Sequence, residues 1–170
     1  HTQDLLLDFR GVLGIPGEDP VTWGITFSPE ELEERDRFFA ELPDRPVAGL
    51  VLATANPEKD WPPERHVPLA DALAERGYTV LLLGGPGARE SAVARLIREA
   101  ARHPPVEGLG DSVRRMMWMV DGVDLLVSPD TGPLHVAHAL GTPVVGLYGH
   151  TNPWRVGPWR RFRELVVDRY

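Results

Sequence analysis

The chain has 170 residues, of which 42% are hydrophobic, and this length and composition favour one domain with a hydrophobic core of ordinary size. A formal net charge of -7 leaves no broad basic surface, so nucleic acid is not an expected partner. Because the sequence has no cysteine, disulfides, thiolate metal sites and thiol redox chemistry are excluded, which is typical of a cytoplasmic protein.

Residues 1–46 are predicted to lead into the main domain as a helix, a linker and a second helix. Residues 4–13 have the pattern of a short apolar helix, and residues 14–19 are rich in Gly and Pro, as linkers are. Residues 22–27 alternate in polarity as a strand does. Ser28, Pro29 and Glu31 then match the capping box that begins many helices, and we expect this helix to end near Leu42.

From residue 47 onward, short apolar runs alternate with amphipathic segments. The predicted strands are at 48–53, 78–83, 125–128, 144–148 and 165–167, with a short one near Val106, and the predicted helices are at 63–76, 89–102, 113–121 and 134–140. Strands that are apolar on both faces, each followed by a helix, are typical of a parallel sheet covered on two sides. Residues 47–170 are therefore predicted to form an α/β domain, a Rossmann-like doubly wound parallel sheet of about six strands.

Ligands of such sheets lie beyond the carboxyl ends of the strands, so the turn after the strand at 125–128 is a candidate site. Asp130 or Thr131 can cap the following helix, and Gly132 lets a ligand approach the backbone. The helix amides, together with His135, favour phosphate there. The alternative is an ordinary turn whose residues serve capping alone. His135 and His138 have the spacing of a metal pair, but no third ligand is evident, so no metal is predicted.

The single lysine of the chain, Lys59, lies in the loop after the strand at 48–53 and should face the same edge of the sheet. An ammonium about 4 Å from a phosphate oxygen gains on the order of 4 kcal/mol at an effective dielectric near 20. Lys59 is therefore a candidate phosphate ligand, with a solvated loop lysine as the alternative.

Two further turns carry weaker signals. The glycine-rich turn at 84–87 has neither the P-loop nor the dinucleotide spacing, and Glu90 after it either binds ribose hydroxyls or balances the helix N-terminus. His150 and Thr151 follow the strand at 144–148, and they either line the sugar end of the cleft or simply pack the loop.

The stretch 128–153, which reads SPDTGPLHVAHALGTPVVGLYGHTNP, resembles the signature of the ADP-heptose:lipopolysaccharide heptosyltransferase family. The segments KDWPPE at 59–64 and LGGPG at 83–87 resemble the family in the same order, and the resemblance covers roughly residues 48–158. It implies a GT-B architecture of two Rossmann-like domains, of which this chain would be the C-terminal, donor-binding half. The N-terminal, acceptor-binding domain would be absent from the chain.

The resemblance also implies an activity, namely inverting transfer of heptose or a related sugar from a nucleotide diphosphate sugar to a lipopolysaccharide-type glycan acceptor, without metal or other cofactor. No DxD motif occurs in the sequence, so protein donors would have to stabilise the departing diphosphate. The family's general base is an aspartate of the N-terminal domain. We therefore expect no catalytic residue in this chain and no activity from it alone.

Carried over residue by residue, the resemblance implies that the donor diphosphate meets Lys59, Asp130, Thr131, Gly132 and His135. It further implies that Glu90 or its neighbour binds ribose, and that Asp111 and Ser112 lie towards adenine. Three departures from the family pattern bear on the ribose contact and the sugar. Pro129 and Pro133 stiffen the turn. His150 stands where the family commonly has proline, and Arg89 stands near an expected acidic position.

Two other functions stay open. One is a non-catalytic nucleotide-binding or assembly module, and the other is a related GT-B transferase that uses a UDP- or GDP-sugar. The apolar runs are much shorter than the roughly 20 residues that cross a bilayer. The full-length protein is accordingly expected in the cytoplasm, with peripheral association at the inner face of the membrane as an option.

Overall fold

The computed structural model describes residues 1–17 and 23–170. Its strands are β1 Val47–Val51, β2 Thr79–Leu83, β3 Val106–Glu107, β4 Leu125–Pro129, β5 Val144–Tyr148 and β6 Val166–Asp168. Its α-helices are α1 Thr2–Leu13, α2 Pro29–Ala40, α3 Pro63–Glu75, α4 Ala88–Ala100, α5 Val113–Gly122, α6 Gly132–Leu140 and α7 Pro153–Val156, with 3₁₀ turns at Pro57–Lys59 and Arg163–Leu165.

The six strands form one parallel sheet in the order β3-β2-β1-β4-β5-β6. This is the strand order of a Rossmann fold, and it confirms the predicted α/β class. The chain moves outward from β1 to β3 and then returns to place β4 against the other side of β1, with Leu50 opposite Val127. The order of the strands therefore reverses between β1 and β4, and the loops that follow these two strands lie side by side.

Both faces of the sheet are buried, because successive side chains of the strands point to opposite sides. Val47 and Val51 of β1 pack into a cluster with Trp118 and Leu134 from the helices α5 and α6. The intervening residue Leu50 packs on the other face, in a cluster that contains residues of α3 and α4. Burying one leucine stabilises the folded state by roughly 2 kcal/mol. Both clusters contain buried leucines, so both faces of the sheet contribute to stability.

The capped start of α2 is confirmed. The Ser28 side chain accepts a hydrogen bond from the backbone N–H of Glu31 at 3.3 Å, and the Glu31 carboxylate accepts one from the Ser28 N–H at 2.8 Å. The helix ends at Ala40, two residues before the predicted end near Leu42. The first predicted helix is also present, as α1.

The strand predicted at 22–27 is wrong for residues 23–27, which form neither strand nor helix. The apolar positions of the alternation, Ile25 and Phe27, are half-buried, and their neighbours are exposed. The backbone there is held by a side chain instead of a strand, since Arg114 donates to the Thr26 carbonyl at 2.8 Å and lies over the Phe27 ring. Thr22 lies outside the described residues, as do Glu18 and Asp19 of the predicted linker.

The boundary predicted between residues 1–46 and 47–170 stays a prediction.

Within the described ranges, none of the helices combines the length and the apolar character that a bilayer crossing requires.

Candidate functional site

The loops that follow β1 and β4 meet at the point where the strand order reverses. Between them lies a cavity of about 430 Å³, and Lys59 from the first loop and Gly132 from the second both line it. Such a position, outside the carboxyl ends of parallel strands at a switch in their order, is where α/β sheets bind ligands. The lining residues are Thr54, Ala55, Asn56, Lys59, Asp130, Thr131, Gly132, His135, Thr151 and Val156.

The carboxylate of Asp130 is the centre of the site. One of its oxygens accepts hydrogen bonds from Lys59 Nζ at 2.8 Å and from Thr151 Oγ1 at 2.7 Å, and the other lies 3.3 Å from His135 Nε2. Its side chain is only 8% exposed. Burial alone would raise the pKa of Asp130, but the hydrogen bonds from His135, Lys59 and Thr151 outweigh burial and hold the pKa well below its ordinary value. The carboxylate is therefore ionised and orients three donor side chains.

The start of α6 is not capped by a side chain, which differs from the expectation that Asp130 or Thr131 would cap it. Thr131 occupies the N-cap position with an extended backbone, but its side chain makes no capping hydrogen bond. Asp130 is occupied by Lys59 and Thr151. Nothing lies within 4 Å of where a Gly132 side chain would begin. The positive end of the helix dipole is consequently open to the cavity and suited to an anion.

Lys59 is held by the conformation of its own loop. Residues Pro57–Lys59 form a 3₁₀ turn, and the backbone N–H of Lys59 donates to the carbonyl oxygen of Asn56 at 2.9 Å. The Asn56 side chain caps this turn by accepting from the N–H of Glu58 at 3.2 Å. The Thr54 hydroxyl donates to the same Asn56 carbonyl at 2.6 Å. Thr54 and Asn56 thus shape the site, although neither carries a motif that would mark it in the sequence.

The three residues predicted for ribose or base do not line the cavity of about 430 Å³. The Glu90 side chain instead lies over the turn at 84–87, close enough to Gly87 that a side chain there would collide with its carboxylate. Ser112 is the N-cap of α5 and accepts a hydrogen bond from the Arg115 N–H at 3.2 Å. Asp111 is exposed beside it. These residues follow β2 and β3, along the same edge of the sheet as the cavity but on the opposite side of β1 from β4.

His150 and Thr151, which were predicted at the sugar end, line different cavities. Thr151 lines the cavity and binds Asp130, whereas His150 lines a neighbouring groove of about 660 Å³ and lies 3.9 Å from the carboxylate of Glu58.

The two histidines of α6 also separate. His135 faces Asp130, and His138 is buried with its Nε2 2.7 Å from the Trp159 carbonyl. They therefore do not form a metal pair. No group of three or more His, Asp or Glu residues in 1–17 and 23–170 is arranged to hold a metal ion.

These features define a Rossmann-like α/β domain whose fold is similar to solved heptosyltransferase structures of the GT-B type. A family model described as glycosyltransferase family 9 (heptosyltransferase) matches residues 4–169. The chain belongs to this family.

Known proteins agree with this membership. The lipopolysaccharide core heptosyltransferase OpsX of Haemophilus influenzae is 28% identical in an alignment of 169 residues that covers 98% of this chain and 47% of that protein. The solved family 9 glycosyl transferase of Veillonella parvula has a TM-score of 0.83 at 26% identity, covering 98% of this chain and 48% of its own. The E. coli heptosyltransferase WaaC, solved with ADP-2-deoxy-2-fluoro heptose, has a TM-score of 0.63 at 27% identity. This match covers 85% of this chain and 44% of the WaaC chain. The chain thus spans about half the length of the relatives that it matches.

Proposed function

We propose that this chain is the donor-binding half of an inverting, metal-independent glycosyltransferase. It would hold a nucleotide diphosphate sugar, from which heptose or a related sugar is transferred to a lipopolysaccharide-type glycan acceptor. The observation that carries this proposal is the convergence of Lys59, His135 and Thr151 on one buried carboxylate, beside the open start of α6. ADP is the favoured nucleotide, since the E. coli heptosyltransferase WaaC was solved with ADP-2-deoxy-2-fluoro heptose.

In this proposal the diphosphate lies in the cavity between the loops after β1 and β4. Lys59 supplies a donor from the loop after β1, and the Thr131 hydroxyl, the backbone at Gly132 and His135 supply donors from the start of α6. These groups stabilise the negative charge that develops on the leaving nucleoside diphosphate. They take the role that a metal ion plays in other transferases.

We propose for Asp130 a role other than direct contact with the diphosphate. An ionised carboxylate repels a phosphate and has no hydrogen to donate, so a direct contact with the diphosphate would be unfavourable. Its contacts of 2.8 Å with Lys59 and 2.7 Å with Thr151 instead orient the groups that bind the anion. We therefore assign Asp130 as a positioning residue for the diphosphate donors.

The nucleoside is proposed to extend along the sheet edge from β1 towards β2 and β3. Glu90 follows β2, whereas Asp111 and Ser112 follow β3, which gives the order ribose and then base from the cavity outward. The Ser112 oxygen already caps α5, so its hydroxyl hydrogen is the group that remains for a ligand. Thr151 and His150 lie at the opposite end, where the sugar would leave the site.

The general base and the acceptor site are proposed to lie in a separate domain, so the 170 residues alone should bind the donor and transfer nothing. The full-length protein is proposed to act in the cytoplasm, at the inner face of the membrane. The glycolipid nature of a lipopolysaccharide-type acceptor supports that location.

Calorimetry of the 170-residue chain with ADP, UDP and GDP tests the proposal. We expect saturable binding of ADP, weaker than in a two-domain enzyme because half of the cleft is missing, and equal binding in EDTA and in Mg²⁺. Preference for UDP or GDP would point to a transferase with another donor. A requirement for Mg²⁺ would contradict metal-independent binding, and absence of binding by all three nucleotides would contradict the donor-site assignment.

A further inference from the structure

The loop that presents Lys59 is fastened at both ends by one side chain from another element, Arg89 of α4. Arg89 Nη2 donates to the carbonyl oxygen of Thr54 at 2.7 Å, and Arg89 Nη1 forms an ion pair with the carboxylate of Asp60. The same carboxylate accepts a hydrogen bond from the backbone N–H of Thr54 at 2.7 Å. Because Thr54 and Asp60 are the ends of the segment that contains Lys59, these contacts close the segment into a ring.

We propose that Arg89 is a positioning residue for Lys59, an inference that rests on the proposed function of the cavity. It acts in two ways. It fixes the two ends of the loop, which leaves the lysine ammonium facing Asp130 at 2.8 Å. It also neutralises Asp60, whose carboxylate would otherwise be an unpaired negative charge next to Lys59 in the sequence.

The position of Arg89 on its helix supports a functional role. Residues Ala88–Ala100 form α4, so Arg89 lies in the first turn, where the helix dipole opposes a cation and favours an acid such as Glu90. This placement of Arg89 thus lowers the stability of the helix slightly, and the contacts of Arg89 with Thr54 and Asp60 offset that loss. A guanidinium has the donors to hold a carboxylate and a carbonyl at once, which the single ammonium of a lysine does less well.

The effect of Arg89 should appear in ligand affinity. Its side chain is 43% exposed, so the ion pair with Asp60 is screened by solvent and contributes little to folding stability. If Arg89 acts through Lys59, however, removing the Arg89 side chain lets the loop move and weakens the contact between the Lys59 ammonium and the diphosphate. The two residues must then be coupled, and a double-mutant cycle measures that coupling.

The experiment is ADP binding to the 170-residue chain, followed by NMR titration, for the wild type, Arg89→Ala, Lys59→Ala and the double variant. We expect Arg89→Ala to raise the Kd for ADP about fivefold in the wild type and less than about 1.5-fold when Lys59 is already alanine. Arg98→Ala is the matched control, since Arg98 belongs to the same helix and pairs with Glu107 at 2.7 Å. This control should bind ADP as the wild type does.

An equal rise in Kd in both backgrounds would show that Arg89 does not act through Lys59, and it would overturn the inference. So would an unchanged Kd for Arg89→Ala in the wild type. Arg89→Gln, which keeps a donor but loses the charge, replaces the alanine variant if that variant does not fold. The proposed function is tested separately by Lys59→Ala, because an unchanged Kd there contradicts the cavity itself, whereas an effect of Lys59→Ala without one of Arg89→Ala contradicts the role of Arg89 alone.

Discussion

Replacing Lys59 with alanine removes the single lysine of the chain and tests the cationic side of the cavity. An ammonium about 4 Å from a phosphate oxygen attracts it by roughly 4 kcal/mol at an effective dielectric near 20. The net loss must be smaller, because Lys59 is 26% exposed and already contacts Asp130 at 2.8 Å. A charge-assisted hydrogen bond contributes about 1.5–3 kcal/mol net. We therefore expect a loss of about 2 kcal/mol, which is roughly a 30-fold rise in the Kd for ADP.

Calorimetry of the 170-residue chain measures this change, with Arg98→Ala as a control that removes the same charge from an exposed ion pair. A melting curve for each variant checks the fold, since Asp130 loses one partner and keeps Thr151 and His135. A Kd for Lys59→Ala within twofold of the wild-type value would refute the reasoning.

Three further predictions concern the cap, the pH dependence and the Asp130 cluster. Ser28→Ala removes the N-cap of α2 and should cost about 1 kcal/mol, or roughly 3 °C in Tm, and an unchanged melting curve would contradict this. Burial lowers the pKa of His66 and of His138 below the ordinary value of 6.5, so the unfolded chain binds more protons as the pH falls through that value. The urea midpoint should therefore be lower at pH 5.5 than at pH 7.5, and equal midpoints would be inconsistent with neutral buried imidazoles. Thr151→Val keeps the shape of the side chain but removes its hydrogen bond of 2.7 Å to Asp130, and it should raise the Kd for ADP about threefold by titration calorimetry, whereas no change would remove Thr151 from the site.

The sheet is largely predictable from the sequence because its signals are local. The strands β1, β2 and β4 are short apolar runs, each followed by a helix, and this pattern gives both the parallel direction and the burial of both faces. A different local signal, the alternation of polarity, fails at residues 23–27. There Ile25 and Phe27 are half-buried at alternate positions, as they would be in a strand, but residues 23–27 pair with none of the described strands.

The site was predictable as a set of turns but not as a set of contacts. Lys59 and Asp130 are 71 residues apart, and only the adjacency of β1 and β4 brings their side chains together. The sequence could not distinguish an aspartate that caps α6 from one that orients a lysine, because both occupy the same place before a helix. Arg89 shows the same limit, since its partners Asp60 and Thr54 lie 29 and 35 residues away and one of them contributes only a backbone oxygen.

The most direct test of the anion site uses the fact that Lys59 is the single lysine of the chain. Biosynthetic labelling with ¹³Cε-lysine gives one side-chain signal, which reports on the ammonium that we propose to contact the diphosphate. We predict that ADP shifts this signal saturably, with the Kd that calorimetry gives, and that AMP shifts it less. Binding of ADP that leaves the lysine signal unmoved would contradict a diphosphate site between the loops after β1 and β4.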